Sequence, residues 1–233
     1  MDSQETCKAA IYHFTDKSEK RPGIYLKELQ RLRDFASSLG YAGCDEYVDM
    51  TLTLQDQVKK KELLSSITDY RSLILRDFYH LRKNTGACME GLVWLSRSGI
   101  QVHSIEDGSF LFMEAPFSNP LRAAVYYCGL GIVGHSSELQ FDIMEMFIRA
   151  KTNWTLVDSY ADLSGNKIDG SQVEMQKLIQ NRDKYDIILV QSFNDIHWRT
   201  AKFCKVRNRL QKDIYSMHNE IYLKYEREVD YGK

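Results

Sequence analysis

Three groups of side chains in this sequence could do chemistry. His13 and Asp16 follow one short apolar run, and His80 and Lys83 follow another. Imidazoles beside a carboxylate could move a proton or hold a small anion or metal. A second group comprises Asp162, Ser164, Asp195 and His197, with Asp49 in the earlier half standing where Asp162 stands in the later one. His13, Asp49, Asp162, Ser164 and His197 are the candidate cleft residues. No two of them lie at a recognised metal-ligand spacing, so neither a metal centre nor a cofactor is expected. The third group is basic: Arg199, Lys202, Lys205, Arg207, Arg209 and Lys212 give six positive and no negative charges over 199–212. On a helix, positions 202, 205, 209 and 212 share one face. That face could track phosphates or meet an acidic partner, or be a solvated outer surface. Lys59-Lys60-Lys61 reads as the exposed start of another helix.

The elements that must position these groups alternate between strand and helix. Ala9–Phe14 is a short apolar run suited to a buried strand, and Leu26, Leu29, Leu32, Phe35 and Leu39 recur at helical spacing up to Gly40 or Gly43. Strand 45–50, helix 61–68, strand 73–78, helix 88–95 and strand 100–105 follow. The later half repeats the order: strand 123–128, helix 139–150, strand 155–160, helix 174–181, strand 186–192, helix 200–210 and strand 213–217. Such alternation predicts an α/β protein with a mostly parallel, helix-covered sheet of four strands in each half. In such sheets the chemistry sits at the carboxyl ends of the strands.

The two halves also resemble each other in sequence. Lys8-Ala9-Ala10-Ile11-Tyr12 is echoed by Arg122-Ala123-Ala124-Val125-Tyr126, and Tyr47-Val48-Asp49 by Tyr160-Ala161-Asp162. Leu63-Leu64, Ser72–Leu75, Asn84-Thr85 and His103–Ile105 have counterparts at Leu178-Ile179, Asp186–Val190, Arg199-Thr200 and Tyr215–Met217. Six matches in one order, at offsets of 112 to 115 residues, indicate a tandem duplication. Pro116 and Pro120 mark the joint, predicting domains over 1–116 and 121–233.

The order of elements and the retained motifs resemble the catalytic domain of serine recombinases, the resolvase/invertase family, present twice. Tyr160, Asp162, Ser164 and Gly165, strand 186–190, Asn84-Thr85, Arg199-Thr200 and Gly99-Ile100 carry the resemblance, which spans 8–107 and 122–220. It implies two tandem three-layer domains. The family's nucleophilic serine falls at Asp16 and Leu130, and its partner arginine at Phe14 and Cys128. The two arginines after the third strand fall at His80 and Lys83, and at Asp195 and Trp198. A one-residue shift would offer Thr15 as nucleophile. Attack on a phosphodiester needs an activated hydroxyl and fixed cations around the phosphoryl oxygens. The resemblance therefore implies a non-catalytic interaction or regulatory module associated with DNA or a recombinase complex. The alternatives are a DNA strand-exchange enzyme or accessory with non-standard residues, and a module binding a small anion at the strand ends. An intramolecular pseudo-dimer or a homo-oligomer would suit a fused pair.

Composition narrows the class. With 31 basic and 32 acidic residues among 233, the net charge is −1. Counts of 15 against 17 before residue 119 and 16 against 15 after it leave neither half a basic nucleic-acid module. No apolar run approaches the roughly 18–20 residues of a membrane span. MDSQETCK has neither the basic flank nor the apolar stretch of a secretory signal. Cys7, Cys44, Cys88, Cys128 and Cys204 form no CxxC pair, so reduced thiols in a cytoplasmic protein are expected. Tyr215, Tyr222 and Tyr225, with Ile214, Met217 and Ile221, make an aromatic stripe suited to a core or to a partner face.

Overall fold

The computed structural model describes residues 8–15, 22–50, 57–110, 112–113, 115–129, 137–162 and 172–225. The chain divides into two compact units, Met1–Leu81 with Gly91–Leu111, and Arg82–Glu90 with Phe112–Lys233.

The first unit is built on β1 (Ala9–Phe14), β2 (Cys44–Asp49), β3 (Ser72–Leu75), β4 (Gln101–Ser104) and β5 (Gly108–Phe110). Their order in the sheet is β2-β1-β3-β4-β5. β1 pairs in parallel with β2 and β3, and β3 with β4, whereas β5 returns antiparallel to β4. Every residue of β1 and β3 is buried, as continuous apolar runs covered on both faces must be. Helix α1 (Pro22–Ser38) lays Leu29, Leu32 and Ala36 on Ala9, Ile11 and Ile74. Gly40, at φ +90°, turns the chain out of that helix in a conformation that glycine adopts without a Cβ penalty. Helix α2 (Val58–Ser65) follows β2, and α3 (Thr85–Arg97) precedes β4. The first turn of α3 groups with the second unit and its later turns with the first.

The second unit repeats the plan. Its strands are β6 (Phe112–Met113), β7 (Leu121–Cys128), β8 (Trp154–Asp162), β9 (Ile187–Val190), β10 (Asp213–Ser216) and β11 (Ile221–Leu223). The order is β6-β11-β10-β9-β7-β8, with β7 to β10 parallel and β11 antiparallel to both β10 and β6. Helices α4 (Ser137–Arg149), α5 (Val173–Gln180), α6 (Phe193–Ile196) and α7 (Thr200–Leu210) connect them. Met144 and Ile148 of α4 pack on Ala123, Val125, Ile187 and Leu189, with Trp154, Tyr215 and Tyr222 completing that core. The aromatic stripe is thus largely core: Ile214, Tyr215, Ile221 and Tyr222 are buried in the β10–β11 hairpin.

The expected α/β class, with mostly parallel sheets flanked by helices, is the observed one. The strand count differs. The expected four per half become five and six among the described residues, because short antiparallel returns follow the tight turns at Gly108 (φ +76°) and Glu220 (φ +53°). The expected strand 73–78 also ends at Leu75, since Phe78–His80 closes into a 3-10 turn. No described helix is long and apolar enough to cross a membrane.

Candidate ligand-binding site

The carboxyl ends of β7, β9 and β10 open into a cleft of about 530 Å³ within the second unit. Tyr127 and Cys128 end β7, Gln191 and Ser192 follow β9, and His218 and Asn219 follow β10. Asn84, Gly86, Ala87 and Glu90 come from the start of α3, and Asn194 and Asp195 from α6.

Local hydrogen bonding fixes this lining. Ser192 is the N-cap of α6: its hydroxyl accepts from the Asn194 amide at 3.2 Å, and the Asp195 carboxylate accepts from the Ser192 amide at 2.9 Å. That reciprocal capping box holds a four-residue helix which propensity alone would not sustain. The Asn194 side-chain carbonyl accepts from the Gly86 amide at 3.1 Å, and Asn84 accepts from the Ala87 amide at 3.0 Å. A Cβ at residue 86 would lie 3.0 Å from Asn194 Nδ2, so any larger residue there would make that side-chain amide give way. Asn219 donates to Glu90 at 3.0 Å, and Gln191 donates to Gln140 at 2.9 Å.

The loop before α3 is locked to the loop before α7 by matched contacts. Thr85 donates its amide to the Trp198 carbonyl at 2.9 Å and its hydroxyl to the His197 carbonyl at 2.6 Å. Thr200 donates its amide to the Lys83 carbonyl at 2.9 Å and its hydroxyl to the Arg82 carbonyl at 2.7 Å. Asn84 and Arg199 form an antiparallel bridge between them. The repeated Asn-Thr and Arg-Thr dipeptides have a structural role here: each threonine satisfies carbonyls of the opposite loop.

The predicted cleft residues are placed as follows. Asp49 and Asp162 both cap helices. Asp49 is buried, accepting from the Lys59 and Lys60 amides at 2.9 and 3.0 Å, which caps α2. Asp162 accepts from the Glu174 and Met175 amides, both at 3.1 Å, and so caps α5. His197 is buried, and its Nδ1 accepts from the Arg199 amide at 2.9 Å. Ser164 lies outside the described residues, as do Asp16 and Leu130.

In the first unit, His13 and His80 do come together. Both are buried and stack with ring centroids 5.3 Å apart, and His80 Nδ1 meets Asp77 at 2.8 Å. Burial, reinforced by the charges of His80 and Arg76, depresses the His13 pKa to about 4. Burial alone would raise the Asp77 carboxyl. The hydrogen bond and charge of His80, together with the Arg76 guanidinium 3.0 Å away, outweigh it and hold the group below its usual range. The Lys60 ammonium donates to the carbonyls of His80 and Leu81 and stands 5.6 Å from the centre of the Tyr12 ring.

At the positions matched to a recombinase active site, the described side chains do other work. Phe14 is buried, its ring edge-on to His80 at 5.1 Å. Cys128 is buried and accepts from Gln172 Nε2 at 3.8 Å. Asp195 caps α6, Lys83 is exposed, and exposed Trp198 lies under the Arg199 guanidinium at 4.6 Å. Thr15 is buried, with its hydroxyl directed to the Asp49 carbonyl at 3.5 Å. On α7, Arg199, Lys202, Lys205 and Arg209 are exposed as the helical spacing requires. Lys212 lies beyond the helix end, half-buried, where its charge adds to that of Arg122 in holding the Asp186 carboxyl low. Among the described residues, no group of three histidines, cysteines or acids converges to hold a metal ion.

No family model matches this chain, and no curated protein matches it. Solved structures with a partial likeness to this chain include solute-binding proteins. A Caulobacter myo-inositol binding protein bound to myo-inositol is 13% identical with a TM-score of 0.30, over 93% of this chain and 76% of that one. An ABC transporter solute binding protein from Clostridium phytofermentas with bound L-rhamnose is 12% identical with a TM-score of 0.29, over 91% and 68%. One from Actinobacillus succinogenes 130z with bound D-allose is 9% identical with a TM-score of 0.28, over 78% and 68%. Likenesses this distant carry no functional argument. The expected kinship with serine recombinases is overturned: no family model matches this chain, one for recombinases included. With it go the recombinase-derived regulatory module, the strand-exchange enzyme and the association with DNA. The motifs that suggested them are accounted for by helix capping at Asp162 and loop locking at Thr85 and Thr200. The small-anion module fails on the cleft's chemistry. Among the described residues its lining holds no lysine or arginine, and the Gly86 and Ala87 amides at the start of α3 already donate to asparagines.

Proposed function

We propose that the protein binds a small, neutral, hydroxyl-rich solute in the cleft at the carboxyl ends of β7, β9 and β10. One observation carries this: the lining holds the side-chain amides of Asn84, Gln191, Asn194 and Asn219 and the Ser192 hydroxyl, with no lysine or arginine among its described residues. Amides pair with hydroxyls in both directions, and beyond the internal contacts named above the Asn84 NH2 can donate and the Gln191 side-chain carbonyl can accept. Glu90 and Asp195 add acceptors for hydroxyl protons. Tyr127 gives the cleft an aromatic wall on which the C–H face of a polyol could rest. The volume lies within the roughly 300–1,000 Å³ of small-molecule clefts, at the edge of the sheet where α/β proteins place ligands. Cys44, Cys88, Cys128 and Cys204 stand as thiols, which supports a reducing compartment such as the cytoplasm.

A thermal-shift panel tests the assignment. Neutral polyols and monosaccharides should raise the melting temperature in a concentration-dependent way, while carboxylates and phosphates of similar size should not. Stabilisation by the anions alone would refute it.

A further inference from the structure

We propose that the exposed face of α7 docks an acidic polypeptide segment, with Trp198 as its apolar anchor. Arg199, Lys202, Lys205 and Arg209 are all exposed there, and none forms an ion pair with a carboxylate among the described residues. The pairing of Asn84 with Arg199, and of the Thr200 hydroxyl with the Arg82 carbonyl, brings Arg82 to the same end. Arg199 stacks on Trp198 at 4.6 Å, leaving the indole 42% exposed.

This charge works against the fold. The first turn of α7 has no acidic residue and no side-chain cap. Cations therefore crowd the positive end of the helix dipole, where acids would stabilise it. Lys202 and Lys205, then Lys205 and Arg209, repel each other at i,i+3 and i,i+4 spacing. Arg209, in the last turn, suits the helix dipole and donates to Gln176 at 3.0 Å, but Arg199, Lys202 and Lys205 gain no such support, and an anionic partner would be drawn to them.

The size of the face favours a polypeptide over a nucleic acid. From Arg199 to Arg209 the helix rises about 15 Å at 1.5 Å per residue. Four or five extended residues, at about 3.3 Å each, cover that length. The exposed indole also suits an aromatic or aliphatic side chain set among carboxylates.

The test is fluorescence anisotropy with the full chain and a labelled peptide of about ten glutamates and aspartates around one central phenylalanine. Binding should be saturable at low ionic strength, weaken as salt is added, and fall about tenfold in the Lys202→Glu/Lys205→Glu variant. Trp198→Ala should weaken it while leaving the salt dependence intact. If the reversal variant fails to fold, Lys202→Gln/Lys205→Gln serves with a smaller loss. No binding at low salt, equal binding to the folded variant, or tighter binding of a single-stranded oligonucleotide of similar length would each overturn the proposal.

Discussion

Tyr12 donates its hydroxyl to the Asp49 carboxylate at 3.1 Å, and Tyr126 does the same to Asp162 at 3.1 Å. In the first unit the tyrosine stands on β1 and the acid ends its neighbour β2, and in the second they stand on β7 and β8 in the same way. The acid then caps the next helix through two backbone amides. Burial, with the facing carboxylate, drives both tyrosine hydroxyls upward, so that each remains a donor. The pair ties strand to strand and strand to helix at the sheet's carboxyl edge, and it occurs in both units.

Asp162→Ala should therefore destabilise the protein by about 1–3 kcal/mol, because two helix amides and the Tyr126 hydroxyl lose their acceptor together. Chemical denaturation measures this. Tyr126→Phe should cost less on its own, and the double variant should fall short of the sum because the two residues share one network.

The matched threonines make a second pair. Thr85→Val and Thr200→Val preserve side-chain shape and remove hydroxyls that meet carbonyls at 2.6 and 2.7 Å in fully buried sites. Each should cost about 1 kcal/mol, with non-additivity between them because the two loops hold each other. Urea denaturation of the single and double variants checks it.

His13 should impose a pH dependence. Its folded pKa of about 4 lies below the ordinary value of 6.5, so the unfolded chain binds the proton more readily. Stability is then unaffected above pH 6.5, falls as the pH drops from 6.5 towards 4, and loses no more to this group below that. The full loss is about 3 kcal/mol at 1.36 kcal/mol per pH unit. His13→Phe should flatten the dependence between pH 7 and 4.5, as read from denaturation midpoints.

The alternating strands and helices were legible because their patterns are local. Ala9–Phe14 and Thr200–Leu210 have the same bounds in the structure as in the periodicity. The three-residue β5 and β11 were not legible, since their pairing depends on a partner strand across a turn rather than on any period. The candidate site was harder. Charged and nucleophilic types drew attention to Asp49, Asp162 and His197, which serve caps and turns. The neutral amide of Asn84 stands more than a hundred residues before those of Asn194 and Asn219 in sequence, yet all three line one cleft. The strand ends after β9 and β10 were the available signal, because the fold must bring them together whatever they carry.

Gly86→Ala probes the close approach that shapes the cleft. A Cβ there would press on Asn194 Nδ2, displacing that amide or loosening the start of α3. Solute binding should fall about tenfold with a smaller change in stability than Asp162→Ala causes, measured by calorimetry and denaturation on the same preparation.

Isothermal titration of the wild type and of Asn194→Ala with neutral polyols and monosaccharides tests the central claim most directly. The wild type should bind at least one such solute at one site per chain with a Kd below about 1 mM, and Asn194→Ala should weaken that binding about tenfold. No heat of binding from any neutral solute, or binding that Asn194→Ala and Asn219→Ala leave unchanged, would contradict it.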